Sequence, residues 1–235
     1  MNVTLIRAFL LQRFTSPMRL GLTSLLTFFP LVGVAFSGEL SLLGGIAGPI
    51  AILFAAGAIG QDVSSGTLQL LLVRPVTRPS YVLHRWLGAA LAACAVVLTT
   101  FLFAVLLLFL RGTPPEALPL ARLVLDAVCT IAGHAAVMVM LSSIVGGLGD
   151  LGLYVGSLFV AQMLGFLATL QQWGWLLRAC NEVQGVLGAK MSWAWLGTGM
   201  APSAFDLVSW VSTLTLSLAI AITLVNRKEL SYASG

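Results

Sequence analysis

The chain has 235 residues, of which 59% are hydrophobic and 9% charged, with a formal net charge of +4. Soluble domains carry about 25% charged residues, so a soluble enzyme or nucleic-acid binder is excluded and an integral membrane protein is left. The apolar runs are continuous, not alternating, which favours helices over a β-barrel. The expected fold class is all-α, with six transmembrane helices preceded by an amphipathic interfacial helix.

Met1–Arg19 forms the first expected element. Val3, Ile6, Leu10 and Phe14 recur at helical spacing, and Arg7, Gln12 and Arg13 stand largely off that stripe. Such a helix can lie in the membrane interface. Residues 20–235 then make one six-span domain. Each crossing needs about 20 apolar residues, and the runs that qualify are Leu20–Ser37, Leu42–Gly60, Trp86–Leu110, Leu123–Val145, Leu151–Leu170 and Ala204–Val225. Pro30 and Pro49 are expected to kink the first two. Ser142, Ser143 and the Gly146–Gly149 cluster mark a tight turn between spans four and five. Residues 171–203 are longer than a turn and carry Trp173, Trp175, Trp193 and Trp195. Tryptophan favours the headgroup level, so one or two short helices dipping into the interface are expected there.

Positive charge orients the chain. With the N-terminus cytoplasmic, that side receives Arg7, Arg13, Arg19, Arg74, Arg78, Arg85, Arg227 and Lys228, and the other receives Arg111, Arg122, Arg178 and Lys190. The bias of eight to four puts both termini inside, in a cell inner membrane.

The stretch at 61–85 is the least membrane-like part of the chain. Asp62 and Ser64-Ser65 are helix-capping types, and Gly66 breaks the preceding helix. Thr67 can cap the next one. Leu68, Leu70, Leu71 and Leu72 supply a short apolar turn or two, and Arg74-Pro75 ends it, because the residue before proline is driven from the helical region. Ser80 is placed to cap the helix running into span three. Leucines at an aqueous face need a partner, either a membrane surface or another protein. Arg74, Arg78 and Arg85 could equally anchor anionic headgroups.

In this stretch the sequence resembles the ABC-2 class of ABC-transporter membrane subunits. It carries Asp62, Gly66-Thr67-Leu68, Leu71-Leu72, Pro75-Val76-Thr77-Arg78 and Arg85 in the order that family shows, with Asp62 where Glu is commoner and Arg85 where Lys is commoner. The resemblance implies a permease subunit, an exporter, driven by a separate ATPase that docks on this loop. It also implies a second membrane subunit, identical or related, and membrane lipid as the surrounding partner. Leu68, Leu71, Leu72 and Arg74 would be contact residues, with Asp62 and Arg78 shaping the loop. No GxxxxGK[ST] phosphate loop occurs in the chain, so ATP and Mg2+ are expected in the partner and no cofactor on this chain. The chain itself is then not an enzyme.

Ionisable and polar groups inside spans are functional candidates by default. Asp126 lies four residues from Arg122, and a local ion pair is the first expectation. His134 and Gln162 each stand fourteen residues from Leu148, on opposite arms of one hairpin, so a hydrogen bond across it is expected. Cys94, Cys129 and Cys180 show no metal-binding spacing. A membrane protease is disfavoured because Ser142, Ser143 and His134 share one helix. The competing class is a polytopic protein with no ATPase: an ion-driven carrier, a small channel or an assembly factor. A carrier should show buried acids in its spans, and Asp126 is the one such residue.

Overall fold

The computed structural model describes residues 3–66, 77–189, 191–196, 198 and 203–230, with side chains described from residue 6 to residue 227. Its helices in chain order are α1 (Val3–Phe14), α2 (Pro17–Ser37), a 3-10 turn (Leu40–Gly45), α3 (Ala47–Ala55), α4 (Gly60–Ser64), α5 (Arg78–Leu110), α6 (Ala117–Ile144), α7 (Gly149–Leu170), α8 (Gly174–Gly188) and α9 (Ala204–Leu230). Among the described residues, six segments are long and apolar enough to cross a membrane. The start of α2 and the break that precedes the loop between spans two and three lie at one end of the bundle, the terminal side.

Span boundaries follow local chemistry. Ser16 is extended and Pro17 opens α2, where its missing N–H costs nothing and its fixed φ suits the helix. The N-terminal helix therefore stops at Phe14, and Arg19 belongs to the first span. On the far side, the Arg111 guanidinium donates to the carbonyl of Ala35 at the C-terminal end of α2, where cations complement the helix dipole. The third span is the longest, 33 residues, or about 50 Å. Its helix opens with Thr77 extended at the N-cap and Pro79 in the first turn. Ser80, expected as the cap, instead sits inside that turn and pairs its hydroxyl with His84 Nδ1 at 3.1 Å.

α6 is the axis of the bundle, packed by α3, α5, α7, α8 and α9. Small residues permit the close approach: Ala47, Ala51 and Ala55 on α3, Ala89, Ala92 and Ala93 on α5, and Ala135 and Ala136 on α6 are all buried. In lipid, association rests on such packing and on interhelical hydrogen bonds more than on hydrophobic exclusion. Trp86 Nε1 donates to Ala132 O at 3.0 Å and Trp210 Nε1 to Cys129 O at 3.0 Å, tying α5 and α9 to α6.

α1 packs through Ile6, Phe9 and Arg13, one helical position away from the stripe the apolar pattern suggests. Arg13 is 1% exposed, while Phe14 is at the surface. Residue type points Arg13 outward, but a buried carbonyl at Ala56 draws it in.

The segment after span five goes deeper than an interfacial helix. α8 folds back along α7: Cys180 lies against Gly165, and Tyr154 Oη donates to Leu187 O at 3.2 Å. Leu187 is thirteen residues from the start of α8 at Gly174, so α8 descends about 20 Å into the bundle. The chain then climbs beside α6. Ala189 rests on Gly133, Trp193 N donates to Asp126 Oδ1 at 2.7 Å, and Arg122 Nε donates to Leu196 O at 2.7 Å. Arg122 and Asp126 thus form no ion pair with each other. Each serves a backbone group of the returning stretch of chain, whose described residues 191–196 form no helix to satisfy those groups.

His134 and Gln162 do not meet either. His134 is buried and its Nδ1 lies 2.8 Å from Thr130 O, whereas Gln162 faces outward. His134 lies instead beside Tyr154, their ring centroids 6.4 Å apart, and α7 turns Tyr154 and Ala161 inward. Gln162, one residue and about 100° on from Ala161, is carried to the outer surface.

Candidate functional site

The site is the root of the loop between spans two and three, and it begins with a break in the second span. The apolar run from Leu42 to Gly60 does not form one helix. α3 ends at Ala55, Ala56 has ψ 127°, and Gly57 adopts φ +67°, a conformation that costs glycine little. The chain resumes as α4. A break inside a membrane protein frees backbone N–H and C=O groups that lipid cannot satisfy. Here four elements satisfy them.

The Ala56 carbonyl accepts from Arg13 Nη1 at 2.8 Å and from Arg19 Nη2 at 3.1 Å. Gly57 N donates to Asp150 Oδ2 at 2.6 Å. Ser142 Oγ accepts from Ile59 N at 3.0 Å and Gly60 N at 2.9 Å. Gly147 N donates to Gly60 O at 2.8 Å. Gly60 lies so close to the α6–α7 turn that a Cβ there would stand 2.7 Å from Gly147 O. Two cations sit at the C-terminal end of α3, and hydroxyl and carboxylate acceptors sit where the chain restarts toward α4. Both match the dipoles of the broken helix. Asp150 and Ser142 are both 0% exposed, so these are shielded contacts rather than surface ones, and the one to Asp150 is charge-assisted.

The same cluster grips the loop's two ends. Asp62 on α4, before the loop, pairs with Arg85 on α5, after it. Tyr81 Oη also donates to Asp62. Arg85 lies over the Phe9 ring of α1, 4.9 Å from its centroid, and Arg13 lies over the same ring at 4.5 Å. Cation–π contacts of this kind strengthen when desolvated. Gly88 makes the seat, since a Cβ there would fall 2.7 Å from Phe9 Cδ1. Burial, with Arg19 and Arg85 nearby, lowers the Arg13 pKa to about 9, so it stays protonated at neutral pH. A cleft of about 490 Å3, lined by Phe9, Gln12, Gln61, Tyr81 and His84, opens between α1, α4 and α5 beside the pair.

Of the loop residues singled out in the sequence, Asp62 and Arg85 are brought together. Gly66 follows α4 with φ +71°, and Arg78 opens α5. Thr67, Leu68, Leu71, Leu72, Arg74 and Pro75 lie outside the described residues. Arg13, Arg19, Tyr81, Ser142 and Asp150 complete the cluster, although the sequence pattern does not single them out as site residues. The one signal for Asp150 is a lone acid beside a glycine turn in an otherwise apolar hairpin.

Fold and cluster define a class: a polytopic helical membrane protein whose first terminal-side loop is braced from within the bundle. Residues 12–230 match the family described as ABC-2 family transporter protein. The chain belongs to that family and is a membrane subunit of the ABC-transporter type, a generally non-catalytic role. No curated protein matches it.

Proposed function

We propose that this chain is the permease of an ABC exporter in a cell inner membrane, with both termini cytoplasmic. A separate ATPase docks on the loop between α4 and α5 and carries the ATP and Mg2+. A second membrane subunit, a copy or a relative, completes the pathway. The observation that supports this reading best is the grip on the loop's two ends by Asp62 and Arg85. An ATPase can do work on a membrane subunit only through a lever that does not slacken. Here the lever's root is joined by hydrogen bonds and ring contacts to α1, α3, α6 and α7. Leu68, Leu71 and Leu72, with Arg74, would form the contact that enters the ATPase, Arg78 would stand at the loop's exit, and the excess of positive charge on the terminal side fits the cytoplasm.

The test is affinity capture from native membranes in mild detergent, with mass spectrometry of the co-purifying chains. Wild type is expected to bring down a Walker-motif ATPase, and a Leu71→Asp, Leu72→Asp double variant to lose it while keeping the same melting temperature. A well-folded wild type that captures no ATPase overturns the reading.

A further inference from the structure

A second cavity, about 430 Å3, lies inside the bundle on the far-side half, away from the loop. Its walls come from the 3-10 turn and α3, from α6, from α7 and from the chain returning after α8. The size suits a drug-like molecule. One wall is polar: Asp126, Thr130 and His134 follow one another at four-residue spacing on α6, which places them on a single face about 12 Å long. Other parts of the lining are apolar, with Ile52 from α3, Leu158 from α7 and Met191 from the returning chain. Tyr154 closes the deep end.

Charge decides what such a cavity takes. Asp126 is its acid, and no basic side chain among the described residues pairs with it. Arg122, one turn away, is committed to Leu196 O. Trp193 N occupies a single acceptor position on the Asp126 carboxylate, which has about four. An acid at membrane depth is costly unless a counter-charge meets it. A thioether and a phenol ring nearby suit a soft cation with apolar substituents.

The geometry points to this cavity as a binding site for amphipathic organic cations, with Asp126 as counter-charge and Ile52, Leu158 and Met191 taking the apolar part. Treating that cation as cargo rests on the exporter reading; the binding itself does not. α3 connects the two sites, since Gly48 and Ile52 line the cavity and Ala56, just past the helix end, is held in the cluster at the loop root. Four residues, about 6 Å along the helix, separate Ile52 at the cavity from Ala56 at the root of the lever.

Equilibrium dialysis of labelled tetraphenylphosphonium against the full chain in lipid nanodiscs, with empty nanodiscs subtracted, tests this without any ATPase. Tetraphenylborate, nearly the same shape with the opposite charge, is the control. Saturable binding of the cation and none of the anion is expected, with affinity falling at least tenfold in Asp126→Asn. Asparagine keeps an acceptor for Trp193 N, so the fold survives, and unchanged melting would verify that. An Ile52→Trp variant, which fills the cavity from α3, is expected to lose binding as well. No saturable binding, equal binding of both ions, or full affinity in Asp126→Asn overturns the site. ATPase capture is read separately, so failure here leaves the transporter assignment standing, and failure there leaves the cation site standing.

Discussion

The first and second spans are nearly equal in composition and opposite in structure. Their mean hydropathies are 1.8 and 2.1, yet 11% of the first is buried in the bundle and 67% of the second. Span one is a single helix with most of its surface turned away from the bundle. It carries Pro30 in its interior and still stays continuous from Pro17 to Ser37. Span two is three pieces, and the backbone groups freed at its break are buried and held by side chains of other elements. The difference teaches where a membrane protein tolerates irregular chain: only where protein groups surround it. Hydropathy reports the cost of leaving water and says nothing about whether lipid or protein is the new neighbour.

That contrast can be broken most forcefully at Gly60. A Gly60→Val substitution drives two methyls into the carbonyls of Gly147 and Val145, and should destabilise by about 3 kcal/mol, read as a large drop in melting temperature in detergent. Asp150→Ala comes next. It strands the Gly57 N–H in a dry site and removes a negative charge that offsets Arg13 and Arg19, at roughly 2–3 kcal/mol. Asp150→Asn, which keeps the acceptor and removes the charge, should recover part of that loss. Ser142→Ala deletes one acceptor serving two N–H groups and should cost about 1–2 kcal/mol. Hydrogen exchange at Ile59 and Gly60 is expected to speed up in that variant. At the small end, Phe29→Ala on span one removes a side chain 64% exposed from the bundle and should shift stability by no more than about 0.5 kcal/mol. If Phe29→Ala proved as damaging as Ser142→Ala, span one would have a protein neighbour, and the natural candidate is the second membrane subunit.

Much of the fold was legible because length and apolar continuity set it. Spans three to six fall where the runs of Trp86–Leu110, Leu123–Val145, Leu151–Leu170 and Ala204–Val225 place them, except that α5 starts two turns before Trp86, α6 starts six residues before Leu123, and α9 runs on to Leu230. What the sequence hid were features fixed by partners far along the chain. The break at Ala56–Gly57 sits inside a continuous apolar run, and three of its side-chain partners lie 43, 83 and 93 residues from the groups they satisfy. Residue type also misled at Arg13, where a guanidinium turns inward because an unsatisfied carbonyl is there. The same reason separates Asp126 from Arg122: spacing on one helix brought them near, but the returning chain at Trp193 and Leu196 offered each a better use. An equal count from the turn paired His134 with Gln162, but the α7 ring beside His134 is that of Tyr154, and Gln162 faces outward. Asp62 and Arg85 were each visible as a charge beside an apolar run, but their pairing across the loop was not.

The break in span two also has a history within each newly made molecule. Gly57 leaves the ribosome 93 residues before the Asp150 that completes its hydrogen bonding. At about 5–20 residues per second, the second span exists for roughly 5–20 s with bare peptide groups in its middle. During that interval it cannot rest in lipid as a finished helix. It must stay in a wet or protein-lined shelter, or close temporarily into a straight helix that reopens later. The chain's own order of synthesis therefore makes the fourth and fifth spans, and not the first two, the moment at which the loop root acquires its shape.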